Sequence, residues 1–340
     1  MPTQTDELGE ELSRISGVHR DADAHEDIPL EFHGFTAAGG TPDLIAVDGS
    51  YAFLLNLDAW YLAALSTAAL RYTCGTGYSI ATHRLHQRVV AVSTREDFVK
   101  TQSDRHQAIF AFTRNRQQHA NEMVNEFRRC EEALLAMRMA ADHKDLLLAV
   151  DGTLTTFPKE YAFGGDVVRE AEQNGHILFG VSKDSDLHAF GSTRRDEELL
   201  RRHGREVEGC AFVRAPGVAA DRQKTFLLGD VYYVRLHPDA PKWFRVDLGT
   251  SKDDPERAFG LLAAYCRARH SLGYPMPLME AHRMAVTVRH LKPMYEQAVL
   301  RRATELGLNL RDVIDGLTHV EGKRRSAYHE YLDRLTGDRR

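Results

Sequence analysis

Two aspartates that follow apolar runs are the residues of this sequence with the clearest chemical potential. Asp48 follows the run Leu44–Val47 and Asp151 follows the run Leu146–Val150, and each aspartate precedes a glycine. A lone Asp-Gly pair predicts only a tight turn, because both residues favour turn geometry. Two copies, each after a short aliphatic run, predict two buried strands side by side in one sheet. The two carboxylates then face a common crevice at the strand ends.

A third carboxylate is expected from the helix that precedes the second of these strands. Apolar residues spaced three and four apart predict a helix over about 115–141. Helical phase places Glu131 at one border of its apolar face and Glu126 at the other, with Glu132 nearly opposite the core. Phase therefore favours Glu131 as the third acid. The alternative is that Glu131 forms only a surface ion pair with a residue four positions away on the helix.

Three carboxylates around one crevice repel one another unless a divalent cation lies among them. The predicted cofactor is therefore Mg²⁺ or Mn²⁺. Cations held in this way activate a water and stabilise a leaving oxygen, so the predicted chemistry is phosphoryl transfer or hydrolysis.

A late segment, Gly273–His282, supplies an aromatic hydroxyl and an imidazole. Two prolines predict an extended stretch before a helix that starts at Leu278. Tyr274 and His282 are eight residues apart and can both turn toward the acids. A surface histidine near a helix start is the alternative, because the chain has 17 histidines.

The elements that must position these side chains begin with an amphipathic helix over about 5–17 and a strand-rich stretch to about residue 92. A helix at about 159–174 joins the second Asp-Gly strand to a strand at 177–182, so those two strands should be parallel neighbours. Further strands are expected at 225–228, 231–236 and 243–246, followed mostly by helices. The predicted fold class is α/β, with a mixed sheet flanked by helices.

Composition limits the domain organisation and the location. The chain has 340 residues, of which 43% are hydrophobic and 27% charged, and no linker marks a second domain. We expect an N-terminal helical extension over 1–40 and a single domain over 41–340. Its longest apolar stretch, Ala59–Leu70, is shorter than the roughly twenty residues needed to span a bilayer, and no signal peptide is recognisable. The expectation is a cytoplasmic protein without a membrane partner. Four scattered cysteines argue against a zinc ribbon or a disulfide framework.

Charge is unevenly distributed along the chain. The net charge of −5 argues against a general polyanion binder, but residues 283–340 contain twelve Lys and Arg against eight Asp and Glu. This basic helical C-terminal region includes Arg301-Arg302 and Lys323-Arg324-Arg325. It can follow a phosphate backbone. A solvated helix face is the alternative.

Taken in order, these motifs resemble the NurA nucleases, DNA-end-processing enzymes with a fold like that of ribonuclease H. The resemblance covers residues 43–291. It rests on the strand at 46–50, the strand end at 151–154, the turn at 180–185 and the segment at 274–282.

The resemblance implies a two-metal site that usually prefers Mn²⁺. It places the family's glutamate on the helix before the second strand, at a distance that fits Glu131 or Glu132, so the choice between them stays open. Lys183 and Asp184 match a family motif and would contact phosphate or shape the site, although a helix cap is the simpler interpretation. The other matched site residues are Asp48, Asp151, Tyr274 and His282.

The implied activity is 5′-to-3′ exonuclease and single-strand endonuclease cleavage of DNA. The family usually acts as a homodimer together with a hexameric HerA-type ATPase, in end resection and double-strand break repair. DNA, as single strands and duplex ends, is the implied substrate.

Three other interpretations fit parts of the sequence. Residues 149–154 look like the opening of a haloacid-dehalogenase phosphatase, but Ala149 occupies the position of its nucleophilic aspartate. Paired Asp-Gly-Ser/Thr turns are similar to the phosphate loops of actin-like ATPases, but no glycine-rich adenosine motif follows. A non-catalytic DNA-binding or ATPase-docking module is the third. Three unneutralised carboxylates argue against it, because they would destabilise a scaffold and repel DNA.

Overall fold

Strands and helices are assigned from a computed structural model. It describes residues 8–14, 30–57, 60–74, 78–93, 95–115, 120–154, 164–191, 194–216, 228–249, 254–309, 311 and 313–314. The strands are β1 (His33–Phe35), β2 (Leu44–Asn56), β3 (Trp60–Cys74), β4 (Tyr78–Ser93), β5 (Leu147–Asp151), β6 (Ile177–Ser182), β7 (Cys210–Arg214), β8 (Asp230–Arg235) and β9 (Phe244–Leu248). The helices are α1 (8–14), α2 (Glu96–Val99), α3 (Asp104–Asn115), α4 (Ala120–Asp142), α5 (Gly164–Gln173), α6 (Asp196–His203), α7 (Pro255–Ala263), α8 (Met276–Ala285), α9 (Thr287–His290) and α10 (Lys292–Glu305). A 3₁₀ turn covers Arg269–Ser271.

All nine strands of the described residues form one mixed sheet in the order β1-β7-β8-β9-β6-β5-β2-β3-β4. Strands β2, β3 and β4 are antiparallel, and β5 and β6 continue the sheet parallel to β2. Three antiparallel strands followed by two parallel ones form the core of a ribonuclease H-like fold. The predicted α/β class with a mixed sheet is therefore confirmed, as is the parallel pairing of β5 with β6.

The two aspartates stand level with each other because of how β2 and β5 pair. The parallel register runs from Leu44 opposite Leu147 to Val47 opposite Val150. Strand β5 then ends at Asp151, where Gly152 turns the chain with a φ of 100°. Strand β2 continues, because residues beyond Asp48 still pair with β3. The prediction that the first of these strands ends at Asp48 is thus wrong, since Asp48 and Gly49 lie inside a 13-residue strand.

Side chains alternate between the two faces of the sheet. One face packs against α7 and α8, and the other packs against α4, α5 and α6. Asp48 and Asp151 share the alternation of the residues that face α8. Buried residues of that face include Leu44, Ala46, Ala149, Phe179, Phe259, Leu278 and Ala281. Buried residues of the opposite face include Ile45, Val47, Leu148, Leu178, Ala136 and Val167.

Several predicted boundaries change in the structure. The helix expected over 115–141 begins at Ala120 and is preceded by the separate helix α3. The helix expected to start at Leu278 begins at Met276, because a proline fits the first turn of a helix. The expected strands at 231–236 and 243–246 are confirmed within one or two residues, whereas 225–227 lie outside the described residues. Strands β1 and β7 and helix α6 are not predicted, since they are only three, five and eight residues long.

The C-terminal part is largely helical through Glu305, as predicted. The cluster Lys323-Arg324-Arg325 lies outside the described residues. Among the described residues, no helix combines the length and apolar character needed to cross a lipid bilayer.

Candidate active site at the end of strand β5

Asp48 is a buried carboxylate that is paired with an imidazole. Its Oδ2 lies 2.7 Å from Nδ1 of His282, and its Oδ1 accepts a 2.6 Å hydrogen bond from the backbone N–H of Gly49. His282 comes from α8, which is seated on the sheet by the fully buried Leu278 and Ala281. Burial raises the pKa of Asp48, and the hydrogen bond from His282 opposes that shift. The imidazole therefore offsets part of the cost of placing this charge in the interior.

Asp151 is held by two donors from other elements. Its Oδ1 accepts a 2.6 Å hydrogen bond from the hydroxyl of Tyr274, and its Oδ2 lies 2.8 Å from Nζ of Lys183. Burial, together with the charge and hydrogen bond of Asp151, raises the pKa of Tyr274 well above its ordinary value. Tyr274 therefore keeps its proton and donates a hydrogen bond to the Asp151 carboxylate.

These side chains converge although they are far apart in sequence. Asp48, Asp151 and His282 each offer an atom, and the three atoms lie within 4.8 Å of one another. Two carboxylate oxygens and an imidazole nitrogen are a donor set that divalent cations accept. The charge of Asp151 also contributes to the raised pKa of Asp48, a repulsion that a bound cation would relieve. The residues present fit a divalent metal ion.

The glutamate that borders this cluster is Glu132. It is buried and paired with Arg128, and its carboxylate lies against Gly49. A Cβ on Gly49 would be only 2.5 Å from Oε1 of Glu132, so the glycine lets α4 bring a carboxylate close to Asp48. Glu131 instead turns away, and its Oε1 lies 2.6 Å from Nη1 of Arg88 on β4.

The phase prediction that Glu132 points away from the core is therefore wrong. Helix α4 is buried along two stripes rather than one. The stripe recognised from sequence packs on β3, β4 and α3, and it includes Met123, Phe127, Cys130 and Leu134. The second stripe packs on β2 and β5 and includes Ala136, Met139 and Ala140. Glu132 precedes this second stripe by one turn. Two of those three residues of the stripe are alanines, which contribute little to the apolar pattern of the sequence.

Lys183 and Asp184 follow β6 directly and have different surroundings. Lys183 contacts Asp151, whereas the exposed Asp184 pairs with Lys242 at 2.8 Å. Lys183 and Asp184 do not cap a helix, because the next described helix begins at Asp196. Lys183, Asp151 and Glu132 are among the residues that line a cavity of about 420 Å³.

Three contributors to the site are missed by sequence reasoning. Arg128 lies one turn before Glu132, and this i,i+4 spacing could have identified it. Asp247 is fully buried and accepts a 3.0 Å hydrogen bond from the backbone N–H of Leu154, which fixes the turn after Asp151. Lys242 gives no local signal, because its contact with the Lys183 segment depends on how β9 pairs with β6.

No protein-family model matches the chain, and no curated protein matches it. Among solved structures, it is similar to the NurA nuclease from Sulfolobus solfataricus, with a TM-score of 0.56 and 14% identity over 89% of this chain and 98% of the other. The chain has the fold of that NurA nuclease. A second NurA structure gives a TM-score of 0.49 and 10% identity over 84% of this chain and 94% of the other. The catalytic domain of human Endonuclease V gives a TM-score of 0.39 and 13% identity over 87% of this chain and 100% of the other.

Within this NurA-like fold, Glu132 should make stability depend on pH when no metal is present. Burial, opposed by Arg128 and reinforced by Asp48 and Asp151, raises the pKa of Glu132 to about 7 from 4.5. The folded state then holds the proton more tightly than the unfolded state, so stability falls as pH rises from 4.5 to 7.

Glu132→Gln removes this titration, so in EDTA the variant should be more stable than the native chain at pH 8, by up to about 3 kcal/mol. The advantage should shrink toward pH 5. Urea unfolding of both proteins at the two pH values measures it. Parallel pH profiles would show that Glu132 is ionised in the folded protein throughout this range.

Gly49→Ala should displace the Glu132 carboxylate. The added methyl group would meet a side chain rather than backbone, so the fold should survive with a moderate loss, roughly 1–3 kcal/mol. Affinity for Mn²⁺, measured by calorimetry, should fall roughly tenfold or more. Gly34→Ala is the control, because nothing lies within 4 Å of its added Cβ. Equal affinities in the two variants would contradict the close approach of Glu132.

Proposed function

We propose that this protein is a metal-dependent nuclease that hydrolyses phosphodiester bonds in DNA. The observation that carries the proposal is the convergence of Asp48, Asp151 and His282, with Lys183 beside them, at the end of β5 in a ribonuclease H-like sheet. The NurA nuclease whose fold the chain shares adds support.

The proposed metal ligands are Asp48, Asp151 and His282, with Glu132 as the fourth residue. Divalent cations bound there would activate a water and stabilise the leaving oxygen in an in-line displacement. An imidazole beside carboxylates favours Mn²⁺ over Mg²⁺, which prefers oxygen ligands. A pair of ions is part of the proposal, because the NurA resemblance implies a two-metal site.

The chain's own residues have distinct proposed roles around the reacting phosphate. Tyr274 fixes the orientation of the Asp151 carboxylate by donating to Oδ1. Lys183 places a positive charge next to Oδ2 of the same carboxylate, where it can offset the charge of a phosphate. His282 holds Asp48 in place, and Arg128 balances Glu132 before a cation binds.

The finer properties come from the NurA resemblance. We propose 5′-to-3′ exonuclease and single-strand endonuclease activity in DNA end resection and double-strand break repair. The proposed assembly is a cytoplasmic homodimer that acts with a HerA-type ATPase.

The structure gives a reason to disfavour a haloacid-dehalogenase-type phosphatase. That mechanism needs a nucleophilic carboxylate two residues before Asp151. Ala149 stands there, fully buried between β2 and β6. No covalent phosphoaspartate can form at an alanine.

The deciding experiment incubates purified protein with end-labelled single-stranded and duplex DNA in Mn²⁺, in Mg²⁺ and in EDTA. Asp151→Ala is run alongside. Degradation that requires the metal and is lost in the variant is the expected result. Intact DNA under every condition, with and without a HerA-type ATPase, would contradict the proposal.

A further inference from the structure

A buried hydrogen-bond network lies behind the segment that carries Lys183. Oγ of Ser185 is 3.0 Å from the hydroxyl of Tyr233, which donates a 2.8 Å hydrogen bond to Oδ2 of Asp196. Because the phenol has a single O–H and uses it in the hydrogen bond to the carboxylate, Ser185 must be the donor to Tyr233. The three groups form a directed chain that ends on a charge, an arrangement in which each hydrogen bond strengthens the next.

This network is deep in the protein. Tyr233 and Asp196 are fully buried, and burial raises the pKa of both. Asp196 also accepts a 3.0 Å hydrogen bond from the backbone N–H of Ala189. A buried carboxylate is weak evidence for stability, since apolar side chains of similar volume often stabilise a core as well or better. The network instead ties the residues that follow β6, through Ser185 and Ala189, to β8 and the start of α6.

Two further contacts hold the backbone from Lys183 to Ser185. The N–H of Ser185 donates a 3.0 Å hydrogen bond to Glu197. Nζ of Lys242 donates to the carbonyl of Lys183 and lies 2.8 Å from Asp184. From this fixed backbone the side chain of Lys183 reaches Asp151.

We infer that Tyr233 is a positioning residue of the nuclease site, acting through Ser185 and Asp196 to fix the backbone from which Lys183 reaches Asp151. Its effect on turnover rests on the proposed function. Tyr233 does not touch the reacting groups. A lysine side chain has four rotatable bonds, so its ammonium stays beside Asp151 only if its backbone is held.

Tyr233→Phe removes the hydroxyl and keeps the ring. Tyr232→Phe is the matched control, since the neighbouring ring lies on the opposite face of β8, against Phe259. On a single-stranded oligonucleotide in Mn²⁺, Tyr233→Phe should lower kcat roughly tenfold and leave KM nearly unchanged. In a Lys183→Ala background it should cause no further loss, because both changes remove the same positioned charge. Tyr232→Phe should leave kcat unchanged.

A second measurement does not depend on turnover. Acylation of Lys183 by an N-hydroxysuccinimide ester, followed by peptide mass spectrometry, should be several-fold faster in Tyr233→Phe than in Tyr232→Phe or the native chain, because the ion pair with Asp151 opens more often. Ser185→Ala removes the hydrogen bond to Tyr233 from the other partner and should also speed the acylation of Lys183. This variant tests the inference even if Tyr233→Phe does not fold.

Unchanged labelling, or an equal loss of kcat with and without Lys183, would overturn the positioning role. A native chain without nuclease activity would overturn the proposed function, and the labelling would still decide the inference.

Discussion

Replacing Asp48 by asparagine is expected to lower the rate of DNA hydrolysis on the order of a thousandfold. The substitution keeps the shape of the side chain but removes the charge that His282 and a cation would share. The fold should survive, because Asp48 carries a desolvation cost that asparagine does not. Turnover of a single-stranded substrate in Mn²⁺ and a thermal melt of each protein are the measurements.

Asp43→Asn is the control for this variant. Asp43 directly precedes β2 and pairs with Arg71 at 2.7 Å, at the other end of the apolar run from Asp48. Losing a partly exposed ion pair there should leave turnover within about twofold of the native rate. A large loss in both variants would point to general damage of β2, and native turnover of Asp48→Asn would remove Asp48 from the proposed ligand set.

Exchanging two adjacent glutamates for glutamine is expected to give opposite results. Glu132→Gln should reduce turnover roughly a hundredfold, because Glu132 lies against Gly49, which follows Asp48 in β2. Glu131→Gln should stay within about threefold of the native rate, since its partner is Arg88 on β4.

The pair is informative because the two variants differ in position by one residue and are identical in chemistry. Mn²⁺ titration by calorimetry should show weakened binding in Glu132→Gln alone. Stronger effects at Glu131 would restore the assignment that helical phase favoured and would mean that α4 turns when metal binds.

The sequence correctly predicts that the two aspartates lie side by side on neighbouring strands. Their matching apolar runs place Asp48 and Asp151 on neighbouring strands, and the parallel register of β2 with β5 brings them side by side. Tyr274 and His282 are also suggested in advance, and the structure brings both within hydrogen-bond reach of the acids. Local patterns suffice here, because buried strands and helix starts leave strong signals.

Tertiary packing decides what local patterns miss. Glu132 is buried because α4 contacts two parts of the sheet, and no single helical moment describes a helix with two buried stripes. Asp48 is inside a strand because β3 pairs past it, a long-range property that an Asp-Gly pair does not encode. Tyr233 on β8 and Asp196 at the start of α6 are 37 positions apart, and no local pattern predicts that they meet.

The hydrogen bond between His282 and Asp48 joins residues that are 234 positions apart. During synthesis, both aspartates leave the ribosome long before α8 is made. A growing chain, or one that terminates before Tyr274, therefore has the carboxylates without the imidazole and the phenol that hold them. The proposed nuclease activity would then require a chain made at least through α8, so shorter nascent chains would not cut nucleic acids.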